Sequence, residues 1–487
     1  MLTATIFLPA VGALVIALLP RENKSLPRLV ATAFTLAAFV LSVVLLVAAE
    51  WDGGEFHFLQ RADWLTGDIA NLNLQYLVAV DGISAPLVAL TTFLTLLSVL
   101  ISWDIDLRPK EYFAWMLVLE TGVLGVFCAL DLVLFFLFWE VELVPMYLLI
   151  SIWGTGRKEY SAFKFVIYTI AGSALMLVGL LALGFSAGTF DWFELRERGI
   201  ADGIIPATAM FFLIMAAFAV KLPIVPFHTW LPDAHTDAPT AVSVLLAGIL
   251  LKMGGYGIIR FGAGLFPSVV DRYGLLLAIL AAINILYGAI LVLRQRDLKR
   301  LVAYSSVSQM GYVLLGIAAM GQIGMTGATV QMVSHGFISG LLFALVGFVY
   351  SRTHTREIAD MQGIGRQMPL VAVVFTVAAF GTAGLPALSG FVSELLVFIG
   401  SFSRFEWVVT VSVFGVVLSA AYMLWTVKRV FHGPPMERWS GLTDATRWWE
   451  VTPMAAMVGA ILVVGIYPAV LTDIIEPSVR PIVERIS

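Results

Sequence analysis

Runs of uninterrupted apolar residues, each about as long as a bilayer is thick, follow one another along nearly the whole chain with short polar stretches between them. A helix rises about 1.5 Å per residue and the hydrocarbon core is about 30 Å across, so roughly 20 such residues make one crossing. The runs lie near 2–19, 28–49, 77–102, 112–130, 132–152, 162–186, 205–233, 240–261, 273–293, 301–320, 326–350, 369–402, 405–430 and 452–473. They predict about fourteen transmembrane helices. Strands of a membrane barrel would alternate in polarity over short segments, and these runs do not alternate. The expected fold class is therefore an all-α integral membrane protein, one polytopic domain over residues 1–487.

Two runs, 205–233 and 369–402, are too long for one straight span, and each is interrupted by proline: Pro223 and Pro226 in the first, Pro386 within FGTAGLPALSGF in the second. Proline removes an intrahelical hydrogen bond and clashes with the preceding turn, so both helices, the seventh and the twelfth, should break. Broken backbone at membrane depth survives only where it lines a polar interior. The breaks are five helices apart, an odd number. Successive five-helix units would thus enter the membrane from opposite sides, the inverted repeat of many transporters, here 112–261 and 273–430.

Composition agrees with the pattern: 60% of the 487 residues are hydrophobic and 13% charged. The lone cysteine, Cys128, excludes an internal disulfide, and no Cys/His spacing suggests a metal, haem or iron–sulfur site. No cofactor is expected in this chain. Of the 29 Lys and Arg residues, 19 fall in the odd-numbered loops and six in the even ones. The positive-inside rule then puts the odd loops in the cytoplasm and both termini outside.

Charge inside the spans carries the functional signal. Lys252 lies about ten residues from either end of its helix, too deep to snorkel, and a midplane charge costs at least ~3 kcal/mol on insertion scales. Glu140 is the central carboxylate of LVLFFLFWEVELVPMYLLI; Glu142, about 200° further around a straight helix, should face elsewhere. Lys221 precedes the first break and Glu394 follows the second. His335 sits mid-span between Ser334 and Ser339, and an imidazole can pass a proton at working pH. Glu140, Lys221, Lys252, His335 and Glu394 together form a row able to carry protons across the protein. His228 after the first break, Lys164 one turn inside the sixth helix and Asp131 at the start of the fifth are further candidates. Snorkelling is the alternative for Lys164, and a solvated helix start for Asp131.

The segments VKLPIVPFHTWLPDAHTDAPTAVSVLLAGILLKMGGYGIIRF, LFFLFWEVELVPMYLLISIWG, RDLKRLVAYSSVSQMGYVLLG and SGFVSELLVFIGSF resemble the antiporter-like subunits of respiratory complex I, NADH:quinone oxidoreductase, and among them subunit M (subunit 4). The resemblance runs over essentially the whole chain. It implies fourteen helices in two inverted repeats. Glu140 and Lys221 would be the coupled pair of the first half-channel, Lys252 and His335 the central axis, and Glu394 the exit. It further implies FMN and iron–sulfur clusters in partner subunits, with other membrane-arm subunits (L- and N-like ones included) and lipid as partners, and no nucleic acid. Glu394 favours subunit M, since subunits L and N tend to carry lysine there. Gln309 stands where family members often have histidine, and glutamine cannot hold a proton. The runner-up is a subunit of a multisubunit sodium/proton antiporter, or of a related hydrogenase or photosynthetic complex.

Overall fold

The computed structural model describes residues 1–20, 23–66, 73–434 and 436–485; Arg21, one of the basic residues counted above, lies outside them. In order, the elements are α1 Leu2–Leu18, α2 Ser25–Ala48, β1 His57–Thr66, β2 Asn73–Val80, α3 Ser84–Ile101, α4 Pro109–Cys128, α5 Leu132–Val141, α6 Leu143–Trp153, α7 Lys158–Ala187, α8 Trp192–Arg198, α9 Ala207–Lys221 and α10 Trp230–Asp237. Then come α11 Thr240–Leu245, a π-helical turn Leu246–Leu250, α12 Leu251–Gly257, a second π-turn Ile258–Ala263, α13 Pro267–Arg272, α14 Gly274–Leu293, α15 Leu298–Ala318 and α16 Gln322–Thr353. The chain ends with α17 Pro369–Thr382, α18 Ser389–Phe402, α19 Glu406–Phe431, α20 Trp448–Ile466 and α21 Ala469–Val483.

Among the described residues, eleven helical stretches are long and apolar enough to cross a membrane, and the shorter apolar helices α1, α9, α17 and α18 accompany them. The protein is an all-α integral membrane protein. Both long proline-interrupted runs break as expected: α9 gives way to α10 across residues 222–229, and α17 to α18 across 383–388. The interior is built from Thr240–Ala263, buried along its whole length, with α15 and α16 almost as enclosed. By contrast α2 and α20 are buried along little more than a quarter of their spans, leaving apolar surface for lipid or neighbouring subunits.

Three expectations need correction. Residues 77–80 do not begin the third helix: they end β2, whose NLQYLVAV pairs antiparallel with β1, with Arg61 opposite Leu77 and Asp63 opposite Gln75. The helix is postponed by Asp81 and Gly82. The Asp81 carboxylate accepts from the amides of Ile83 and Ser84 at 3.2 and 3.0 Å, and so starts α3 at Ser84. Second, the last run is not one span over 452–473. It divides at Tyr467–Pro468, and α21 then continues as an amphipathic helix with Leu471, Ile475, Val479 and Ile482 turned inward. Third, Arg260, counted as a loop residue, is 1% exposed and paired with the equally buried Asp81.

Candidate functional site

The first buried pair forms where two helices are interrupted. Lys221 is the last residue of α9, and its ammonium binds the Glu142 carboxylate with both side chains fully buried. The rings of Phe165 and Trp139 stand 5.0 and 5.7 Å from that ammonium. The partner is thus Glu142, where the sequence pointed to Glu140. Pro145 explains the difference. It has no N–H to give the carbonyl of Val141, so the ladder fails there and the helix divides into α5 and α6 at Glu142. The 200° separation held only for a straight helix. Glu140 stays one step away, half-buried, with Oε1 lacking a protein partner.

The break after Lys221 is satisfied from outside. Asn284 of α14 accepts from the Val225 amide at 2.8 Å and donates to the Pro223 carbonyl at 3.0 Å. The Trp230 indole donates to the Val220 carbonyl at 2.9 Å. Asn284→Leu would strand the buried Pro223 carbonyl at about 1–3 kcal/mol and leave the half-buried Val225 amide without this partner. We expect it to lower the melting temperature and yield of the assembled protein; an unchanged melt would exclude this role for Asn284.

Lys252 occupies the centre. The π-turn before it leaves the Ala247 carbonyl turned toward its own ammonium, which also contacts His335 Nδ1 of α16 at 2.8 Å. Turns of this kind disturb the ladder locally and recur at functional sites. Gly254, two residues on, allows the helix to lie against the broken segment: a Cβ there would sit 2.6 Å from the Leu222 nitrogen. Ser339 Oγ lies 3.3 Å from the same imidazole nitrogen.

A third group surrounds Glu394 of α18, itself 3% exposed. Gln309 of α15 donates to Glu394 at 3.2 Å and to the Thr382 carbonyl at the second break at 3.3 Å, as Asn284 serves the first break. Gln331 of α16 donates to Gln309 Oε1 at 2.5 Å and accepts from Ser393. Ser334, beside His335, donates to Ser389 at 2.8 Å. Gly384 is in the left-handed region (φ +71°), and a Cβ there would meet Glu394 Oε2 at 2.6 Å; only glycine lets the break close over the carboxyl.

The remaining candidates divide. Lys164 is half-buried and paired: it binds Asp233 at 2.7 Å, which Arg300 also meets at 3.3 Å, fastening α7 and α15 to α10. His228 is buried near Tyr287, with Nδ1 lacking a protein partner. Asp131 is neither solvated nor near Lys221. It caps α5 by accepting from Val133 and Leu134 at 2.9 Å, and burial pushes its carboxyl up to about 6. The sequence missed Glu120 of α4, buried with both oxygens unpartnered, and Gln331. His235 is fully buried as well, its ring stacked on Phe343 at 4.4 Å. Among the described residues no three His, Cys, Asp or Glu side chains cluster to hold a metal.

Paired cations and carboxylates buried beside broken helices at membrane depth define an ion-translocating membrane protein. A family model described as NADH:quinone oxidoreductase/Mrp antiporter, transmembrane, matches residues 129–419, and the chain belongs to that family. It is 43% identical to NADH-quinone oxidoreductase subunit M of Rhodobacter capsulatus, over 100% of this chain and 96% of the relative. It is 40% identical to NAD(P)H-quinone oxidoreductase chain 4 of Gloeobacter violaceus, over 98% and 91%. Its fold superposes on a chain of respiratory complex I from Thermus thermophilus, solved with bound NADH, with a TM-score of 0.91 at 27% identity and full coverage of both. A chain of the Mrp complex from Dietzia sp. shares the fold at a TM-score of 0.88 and 22% identity, over 99% and 98%.

Proposed function

We propose that this chain is a proton-translocating membrane-arm subunit of an NADH:quinone oxidoreductase, moving protons through a row of buried ionisable groups while redox chemistry takes place in partner subunits that hold flavin and iron–sulfur clusters. One observation carries the reading: three separate buried groups, Glu142 with Lys221, Lys252 with His335, and Gln309 with Glu394, lie on and beside the most enclosed helices. Buried ionic groups are costly, and opening one pair changes the field on the next in a medium of low dielectric. In this mechanism a charge change at one end separates Lys221 from Glu142. Lys221 then exchanges its proton toward Lys252 and His335, and the hydrogen-bonded chain through Gln331 and Gln309 leads on to Glu394. Glu140 acts as the second carboxylate beside Lys221, and His228 as a side branch at the first break. Lys164 holds Asp233, and Asp131 anchors α5.

The two inverted repeats have support beyond the breaks. Asp131 caps α5 and bridges to Asp191; Asp297 caps α15 and bridges to Glu357, the same sixty residues further along the chain. Counting each broken helix once gives fourteen spans with both termini outside. We place the protein in a bacterial-type plasma membrane, among L- and N-like subunits and lipid.

Affinity purification of the tagged chain from its own membranes tests this. Flavin- and iron–sulfur-containing partners should co-purify, with NADH-quinone activity that acidifies reconstituted vesicles. Recovery of membrane subunits alone, with sodium/proton exchange and no NADH-quinone activity, overturns it.

A further inference from the structure

The helix that carries Lys252 has a second buried cation eight residues on. Arg260 lies in the π-turn Ile258–Ala263, so it faces the interior near the membrane face that bears the β-hairpin and α21. Its guanidinium binds Asp81 at the start of α3, both side chains being at most 2% exposed. Its Nε reaches the Tyr256 hydroxyl at 3.3 Å, one turn closer to Lys252. The guanidinium thus links the Tyr256 hydroxyl to the Asp81 carboxylate. Three rings enclose the guanidinium, Phe56 at 4.8 Å, Trp192 at 5.3 Å and Tyr256 at 5.4 Å, and the Trp192 indole also fixes the Arg260 carbonyl at 3.0 Å.

More positive charge surrounds this site. Arg485 donates to the carbonyls of Arg196 and, at 3.4 Å, Gly264, and Arg196 donates to Pro481 of α21 at 2.9 Å. Burial, then the charges of Arg485 and Arg260, pull the Arg196 guanidinium down to about 10. Above Asp81, α21 closes tightly: the Gly82 amide donates to Ser478 at 2.8 Å, and a Cβ on Gly82 would overlap the Ile474 carbonyl. The second half is different at the same face. Its polar chain reaches Glu394, and the Arg404–Asp271 pair is only half-buried.

We propose that Arg260 is a proton seal: its caged guanidinium closes the hairpin face of the first half, so that a proton on Lys252 can leave only through the second half. The inference rests on the relay reading above. Its physical basis is twofold. A fixed cation raises the energy of any hydrated proton approaching it, and an aromatic cage leaves no room for the water wire such a proton needs. Breaking a buried ion pair is destabilising, and a hydrophobic replacement is often neutral or better, so stability alone is a weak reason for this pair.

The test is passive proton leak in vesicles containing the intact complex, read as the decay of an imposed pH gradient without turnover. Arg260→Gln, and Asp81→Asn/Arg260→Gln, in which both side chains are neutral and can still hydrogen-bond, should each speed the decay about tenfold, equivalent to 1.4 kcal/mol of barrier. Arg260→Lys and Asp81→Asn keep the cation and should stay tight. A tight double variant overturns the seal, as does a leak from Asp81→Asn equal to that from Arg260→Gln, which would mean that packing rather than charge closes this face. Lys252→Met in the same vesicles separates the two ideas. Normal pumping by Lys252→Met defeats the relay, whereas lost pumping alongside tight Arg260 variants defeats only the seal.

Discussion

Glu142→Gln is expected to lower coupled proton pumping at least about tenfold, with the complex still assembled and NADH oxidation by an artificial acceptor intact. The substitution keeps size and a hydrogen bond to Lys221 but removes the charge that compensates it. Removing one member of a buried pair commonly costs about 3–5 kcal/mol, because the other charge is left unpaired in a low-dielectric site. With aromatic rings beside it and, among the described residues, no other carboxylate in contact, Lys221 would be left without a counter-charge, and the step that pairing and separation drive would be lost. Glu140→Gln should do less, about a few-fold, because Glu140 acts on Glu142 only through space. The double variant should be scarcely worse than Glu142→Gln alone, since neighbouring charges in one network are not additive. Acidification of inverted vesicles, normalised to complex content, measures all three. If Glu140→Gln proves the more severe, Glu140 rather than Glu142 is the working partner of Lys221.

That contrast also marks how far the sequence was legible. The spans could be read because lipid-facing and interior helices alike must be apolar over about 20 residues. The breaks could be read because Pro223 and Pro386 have an unavoidable backbone consequence. Lys252 stood out because depth alone makes a charge expensive. What escaped reading depended on geometry that a linear pattern does not carry. Pro145 turned Glu142 toward Lys221, although as a proline inside a helical run its effect was foreseeable in principle. Arg260 looked like a loop cation because its partner, Asp81, is 179 residues away and lay within an assumed third helix. Gln331 and Asn284 looked like isolated polar residues in apolar spans. Their purpose appears only when α16 meets Gln309 and α14 meets the broken backbone. His235 lies in a polar stretch of the sequence, and only the short helix α10 carries it inward against Phe343.

The second large effect belongs to the centre. Lys252→Met should abolish coupled pumping, at least about tenfold down, while leaving the fold and the assembled complex in place. Methionine fills much the same volume in a core without bringing a charge, so the packing around Gly254 and the π-turn has no reason to change. Its thioether cannot carry a proton, and the contact with His335 Nδ1 is lost. The link between the Lys221 pair and the Glu394 group then depends on His335 alone. Replacement of His335 by Gln, which can still hydrogen-bond, isolates the other half of the contact. If both residues lie on one path, each single variant should be nearly as defective as the double. A thermal melt separates this from simple destabilisation. Lys252→Met removes a buried ammonium that has no carboxylate partner among the described residues, so the melting temperature should hold or rise as pumping disappears. Retained pumping in the assembled Lys252→Met complex would mean that protons cross this chain without using its most deeply buried lysine, and the row would have to be redrawn without its centre.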